Sequence, residues 1–136
     1  MHIKKTILLL IAVFLMSGCG SRYEPFFEEY NFDFDPKKID VAIGMVEKIS
    51  EKWNLDTLHM NPKSASYLNT ENPAFSIQLF VKGQKKSVAI ITNLGVSEIL
   101  HFHSARNSGF DDSQLRAFSD DVLNTFQKQD WAKLRE

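Results

Sequence analysis

A single cysteine, Cys19, stands in a chain of 136 residues. One thiol excludes an intrachain disulfide and any zinc site built from several cysteines. Charge of one sign is not in excess either. Sixteen Lys and Arg face 17 Asp and Glu, and no segment gathers the basic side chains into a face. Nucleic acid is therefore not expected as a partner. The longest apolar run, Ile7 to Met16, is about half of the ~20 residues that a membrane-spanning helix needs. No G-x-x-x-x-G-K loop is present to cradle a phosphate, and no serine sits in a G-x-S-x-G elbow. Asp111-Asp112 and Asp120-Asp121 are adjacent acids, which point in different directions on a helix. They are not an acid/base pair. No enzymatic activity and no cofactor are expected on these grounds, and no repeat or low-complexity tract divides the chain.

What is present begins at the first residues. Lys4 and Lys5 precede the apolar run, and Ser17-Gly18-Cys19-Gly20-Ser21 follows it. A basic start, a short apolar stretch and small residues at a cut site make a secretory signal. Small residues ending in cysteine resemble the lipobox of bacterial lipoproteins. Met16 stands where that family usually has leucine, and it is similar in size and polarity. The resemblance implies that Cys19 is acylated and becomes the first residue of the mature chain. Several acyl chains then hold it on a lipid bilayer. It also implies a bacterial envelope location. Gly20, in place of an inner-membrane-retaining aspartate, favours the periplasmic face of the outer membrane. The resemblance covers residues 1 to 21 and is silent on the folded part.

Without residues 1–18, 118 of the 136 residues remain. Two lysines leave with the signal, so 14 basic residues face 17 acidic ones, a formal charge of −3. That length suits one compact domain. We expect a tether and aromatic-acidic arm over 19–35 and a single domain over 36–136. In the arm, Tyr30, Phe32 and Phe34 alternate with Asn31, Asp33 and Asp35. A period of two suits an extended strand packed on the domain, or a segment that docks on a partner.

Asp35 and Pro36 open a helix whose apolar stripe is Ile39, Ala42, Ile43, Val46, Ile49 and Trp53. Residues 55–74 read as a loop, with a short strand near Thr57 to Met60. Three strands follow: Phe75 to Val81, Ser87 to Thr92 and Glu98 to His103. Lys82–Lys86 with Gly83, and Asn93–Ser97 with Gly95, are their turns. A closing helix starts near Asp111, with Gln114 as capping-box partner. Leu115, Phe118, Val122, Leu123 and Phe126 form its stripe, with Trp131 and Leu134 as an extension. The expected fold is α+β, in the order α-β-β-β-α. It is a two-layer sandwich with both helices on one face of a three-stranded antiparallel meander.

That leaves a sheet face without cover. Phe80, Ile91, His101 and His103, with Phe32 and Phe34 of the arm nearby, are the expected partner-binding surface. The function expected is that of a non-enzymatic envelope lipoprotein, an accessory subunit that binds a periplasmic or envelope protein. An immunity-type lipoprotein that neutralises a toxin fits the same features. A different class rests on His101 and His103, which share a strand face and could meet one metal ion. A metal-binding or hydrolytic centre there would need a further ligand, such as His59 or Glu98.

Overall fold

A computed structural model describes residues 26–60, 75–93 and 98–136. The lipobox with Cys19, the whole loop over 61–74 and the turn around Gly95 lie outside the described residues. The chain is α+β: a six-stranded antiparallel sheet with two helices.

Strand β1, Glu28–Phe34, comes first. Asp35 then turns the chain. Its carboxylate accepts from the Lys37 N–H at 3.0 Å, and Pro36 opens a short 3-10 turn over Pro36–Lys38. Proline fits there because its missing N–H would have had no partner anyway. Helix α1, Ile39–Lys52, follows directly and buries Ile39, Ala42, Val46 and Ile49. It stops at Trp53. Asn54 has φ 53°, a left-handed conformation that asparagine tolerates and that commonly ends helices. Strand β2, Leu55–Met60, leaves at once and pairs with β3, Phe75–Val81. Strands β4, Ala89–Asn93, and β5, Ile99–Ser104, complete the meander. Helix α2, Asp112–Gln127, starts on a complete capping box between Asp111 and Gln114. A three-residue strand β6, Ala132–Leu134, ends the fold.

The sheet order is β2-β3-β4-β5-β1-β6. The meander β3-β4-β5 is thus the middle of a larger sheet, which corrects the expectation of three strands. β2 extends one side, and β1 and β6 extend the other. The segment expected as an arm outside a domain starting at residue 36 is strand β1, paired on both sides. The reason is burial: Phe32 and Phe34 are almost wholly enclosed, and Tyr30 stacks on Phe102 with ring centroids 5.5 Å apart. Trp131 and Leu134 belong to the β6 region and not to a longer α2.

Both helices bury their stripes against one sheet face. Ile77, Leu79, Ile91, Leu100, Phe102 and Phe32 form one cluster with Val46, Ile49, Leu115, Phe118, Val122 and Phe126. Ring pairs cross the interface: Phe102 with Phe118 at 6.2 Å, and Phe32 with Phe126 at 5.7 Å. Each such side chain contributes ~1.5–3 kcal/mol through burial. Polar groups in this layer are paired. Ser119 Oγ donates to Ser104 Oγ at 3.0 Å, and Ser104 Oγ also accepts the Glu28 N–H at 3.2 Å. Asn93 Nδ2 donates to the Ile99 carbonyl at 2.8 Å and ties β4 to β5. One glycine has no substitute. Gly109 has φ 101°, and a Cβ there would lie 2.8 Å from Gln84 Cγ and 3.0 Å from Val81 Cβ. The loop after β5 can approach the β3–β4 hairpin this closely only with glycine.

Candidate functional site

The second sheet face is the one the helices leave open. Strand pairing assigns its rows. One row runs Leu58, Gln78, Ile90, His103 and Glu29 across five strands. The next runs Met60, Ser76, Thr92, His101 and Asn31. Phe80 lies opposite Asp56 beyond the first row. Leu58 and Met60, on the edge strand, are exposed at 51% and 41%. Phe80, Ile90, His101 and His103 are half-buried. Along the first row large apolar side chains therefore alternate with an amide and an imidazole, and the second row is mostly polar.

The histidine pair is the most ordered part. Its rings are nearly parallel, 6° apart, with centroids separated by 6.2 Å. His101 Nδ1 is hydrogen-bonded to Asn31 Oδ1 of β1. His103 is held differently. Phe26, just before β1, lies over it with ring centroids 4.2 Å apart. Glu29 approaches to 3.9 Å from His103 Nδ1, too far for a hydrogen bond, and that nitrogen is buried without a hydrogen-bond partner among the described residues. Burial is the main influence and lowers the His103 pKa below its ordinary 6.5; Glu29 opposes this and His101 adds to it. The imidazole is thus held neutral near pH 7.

Of the residues expected on the partner surface, Phe80, His101 and His103 lie on this face. Ile91, Phe32 and Phe34 do not. Ile91 pairs with Ile77 and Phe102 and is fully buried, and its neighbour Ile90 takes the open side. Phe32 and Phe34 point to the helices because β1 joins the sheet with its aromatic side inward. Leu58, Met60, Ile90, Asn31 and Glu29 are the members that sequence reasoning missed. The alternation in β1 placed Asn31 opposite the aromatic side, but nothing in it named His101 as the partner.

Chemically the face offers two imidazoles and a nearby carboxylate. Among the described residues no three His, Cys, Asp or Glu side chains come together as a metal site would require. His59 is on the other sheet face, 3.8 Å from Glu47 of α1, and so cannot join the pair. A cleft of about 560 Å³ at the far end of the sheet mixes Asp33, Glu98 and Asp130 with Lys38, Lys133 and the Trp131 ring. Among the described residues, no helix is long and apolar enough to cross a membrane. No known protein family, no characterised protein and no solved structure matches the chain.

Proposed function

We propose that this chain is a bilayer-tethered envelope lipoprotein that holds a protein partner against its open sheet face and performs no chemistry of its own. The supporting observation is the row Leu58, Gln78, Ile90 and His103 with Phe26 beside it, an apolar and polar mixture on the side opposite both helices. Such mixtures are characteristic of contact surfaces, where buried apolar anchors sit among groups that keep the free protein soluble. The lipobox at Cys19 supplies the tether in this reading.

The test is capture from the native envelope, with bound proteins identified by mass spectrometry. Phe80→Ser and Leu58→Ser each remove one apolar anchor worth ~1.5–3 kcal/mol, so capture weakens by about tenfold or more while the melting temperature holds. A variant that melts several degrees lower yet captures normally would show that the chain covers this face itself. A stoichiometric zinc site lost on His101→Ala would replace the proposal with the metal-centred reading.

A further inference from the structure

Strand β2 is an edge of the sheet, and among the described residues nothing pairs with its outer flank. Edge strands are ordinarily blunted by lysine, proline, a bulge or shortness. The opposite edge is blunted: β6 has three residues, with Lys133 at its centre. β2 carries none of these devices. It pairs with β3 through six consecutive residues without a bulge, and it contains no lysine and no proline. Every residue from Asp56 to Met60 is exposed, on both sides of the sheet. Strand geometry fixes which backbone groups are free. On the far side of β3, the Leu79 carbonyl accepts the Val88 N–H at 2.8 Å. In an antiparallel sheet both backbone groups of one residue point the same way. Leu79 therefore turns away from β2, and Thr57 opposite it presents its own N–H and C=O outward. Leu55 and His59 share that orientation through the period of two.

We infer that a second copy of this chain pairs with β2, antiparallel, about a two-fold axis at Leu58. The strand is complementary to itself in that register. Thr57 of each copy exchanges backbone bonds with His59 of the other, using the groups that point outward. Leu58, exposed at 51%, meets its own counterpart on the open face. Asp56 lies opposite Met60, so no like charges face each other directly. Placing Thr57 on the axis instead would set Leu58 against Asp56 and bring the two Asp56 carboxylates onto a diagonal. The contact is isologous and closes at two copies. Few bonds hold it, so the dimer is weak and depends on concentration. Neither the Cys19 tether nor a partner protein is needed for it. The axis runs perpendicular to the sheet, which keeps both open faces on one side. The row Leu58, Gln78, Ile90 and His103 then continues into the same row of the second copy.

The test uses the full chain as isolated from the producing cell in mild detergent. Leu58→Cys, Thr57→Cys and Met60→Cys are oxidised gently, and mass spectrometry locates each disulfide and separates it from any bond to Cys19. Opposite residues in a non-hydrogen-bonded pair have Cα atoms ~4.5 Å apart, within disulfide reach. Thr57 and Met60 stand two and four residues along the strand from their own counterparts, at ~3.3 Å per residue, beyond that reach. Leu58→Cys therefore cross-links at least about tenfold faster than the other two. In sedimentation the wild type rises from one copy towards two as its concentration increases from micromolar to millimolar. Thr57→Pro removes an outward N–H and no bond to β3, so it stays single while its melting temperature holds. Should proline disturb the strand, Leu58→Lys sets two ammonium groups face to face on the axis and decides the same question. Equal cross-linking in the three variants, or faster cross-linking in Thr57→Cys, overturns the pairing. So does a wild type that stays single throughout, or a dimer that persists in folded Leu58→Lys.

Discussion

Trp53 Nε1 donates to Asp121 Oδ2 at 2.8 Å, linking the C-cap residue of α1 to the middle of α2. The same oxygen accepts from Lys52 Nζ, also at 2.8 Å. One carboxylate of α2 therefore closes the end of α1. The Trp53 ring meanwhile packs edge-on to Phe118 with centroids 5.6 Å apart. The indole joins the core and the seam between the helices at once.

Asp121→Ala leaves the Trp53 N–H without its acceptor. The expected cost is about 1–2 kcal/mol, since hydrogen bonds to charged groups are strong but this one is partly wet. Burial alone would raise the Asp121 pKa. The hydrogen bonds from Lys52 and Trp53, with the charges of Lys52 and Lys128, outweigh it and leave the value below 3.8. A depressed carboxylate stabilises the fold above its unfolded pKa, and that contribution is lost as pH falls through the folded value. Acid melts should show a smaller loss of stability below pH 4 in Asp121→Ala than in the wild type. Parallel acid limbs would refute this.

Phe32→Ala tests where the domain begins. Phe32 is fully enclosed and packs on Phe126. A cavity of that size costs ~3–5 kcal/mol, a large share of the ~5–15 kcal/mol that holds a domain together. Circular dichroism should show a strongly lowered melt. A chain starting at residue 36 should not melt cooperatively at all. Cooperative unfolding of that fragment would mean that β1 is dispensable.

His103 gives the fold a mild dependence on pH near neutrality. Its pKa is lowered by burial, with Glu29 on β1 and His101 on its own strand facing it. The unfolded chain therefore binds the proton first. Stability is full above pH 6.5, declines as pH drops from there towards the lowered folded value, and levels off below it. Urea titrations in steps across this range should show that decline, and His103→Leu should flatten it. An unchanged slope in the variant would assign the decline to other groups.

Helices and caps were readable because their signals are local. The Asp35-Pro36 start, the Asp111 and Gln114 capping box and the stripes of both helices depend on residues within a few positions of one another. β3 and β5 were readable because polar residues mark their open side, Ser76 and Gln78 in one and His101 and His103 in the other. β4 was readable as a strand, but not in which side it buries. Val88, Ala89, Ile90 and Ile91 are all apolar, so no polar residue fixed which side faced the helices. The pairing of Leu79 with Ala89 and Ile77 with Ile91 made that choice, and pairing is a tertiary fact. Sheet size was hidden for the same reason. The spacing of Trp131 and Leu134 fits a helix turn as well as a strand, and only β1 alongside decides it. The bond from Asn31 to His101 spans 70 residues of sequence, beyond any periodicity.

Placing β1 between β5 and β6 has a consequence for the order of assembly. β1 bonds on one flank to residues 99–104 and on the other to residues 132–134. Neither flank exists until most of the polypeptide has emerged. Tyr30, Phe32 and Phe34 must therefore stay solvated or be shielded by something else while the rest of the chain arrives. Pairings this distant slow folding, because a long loop must close before any contact rewards it. The meander β3-β4-β5, with short connections, can form early. The aromatic strand zips onto its edge late, and β6 locks it from the other side.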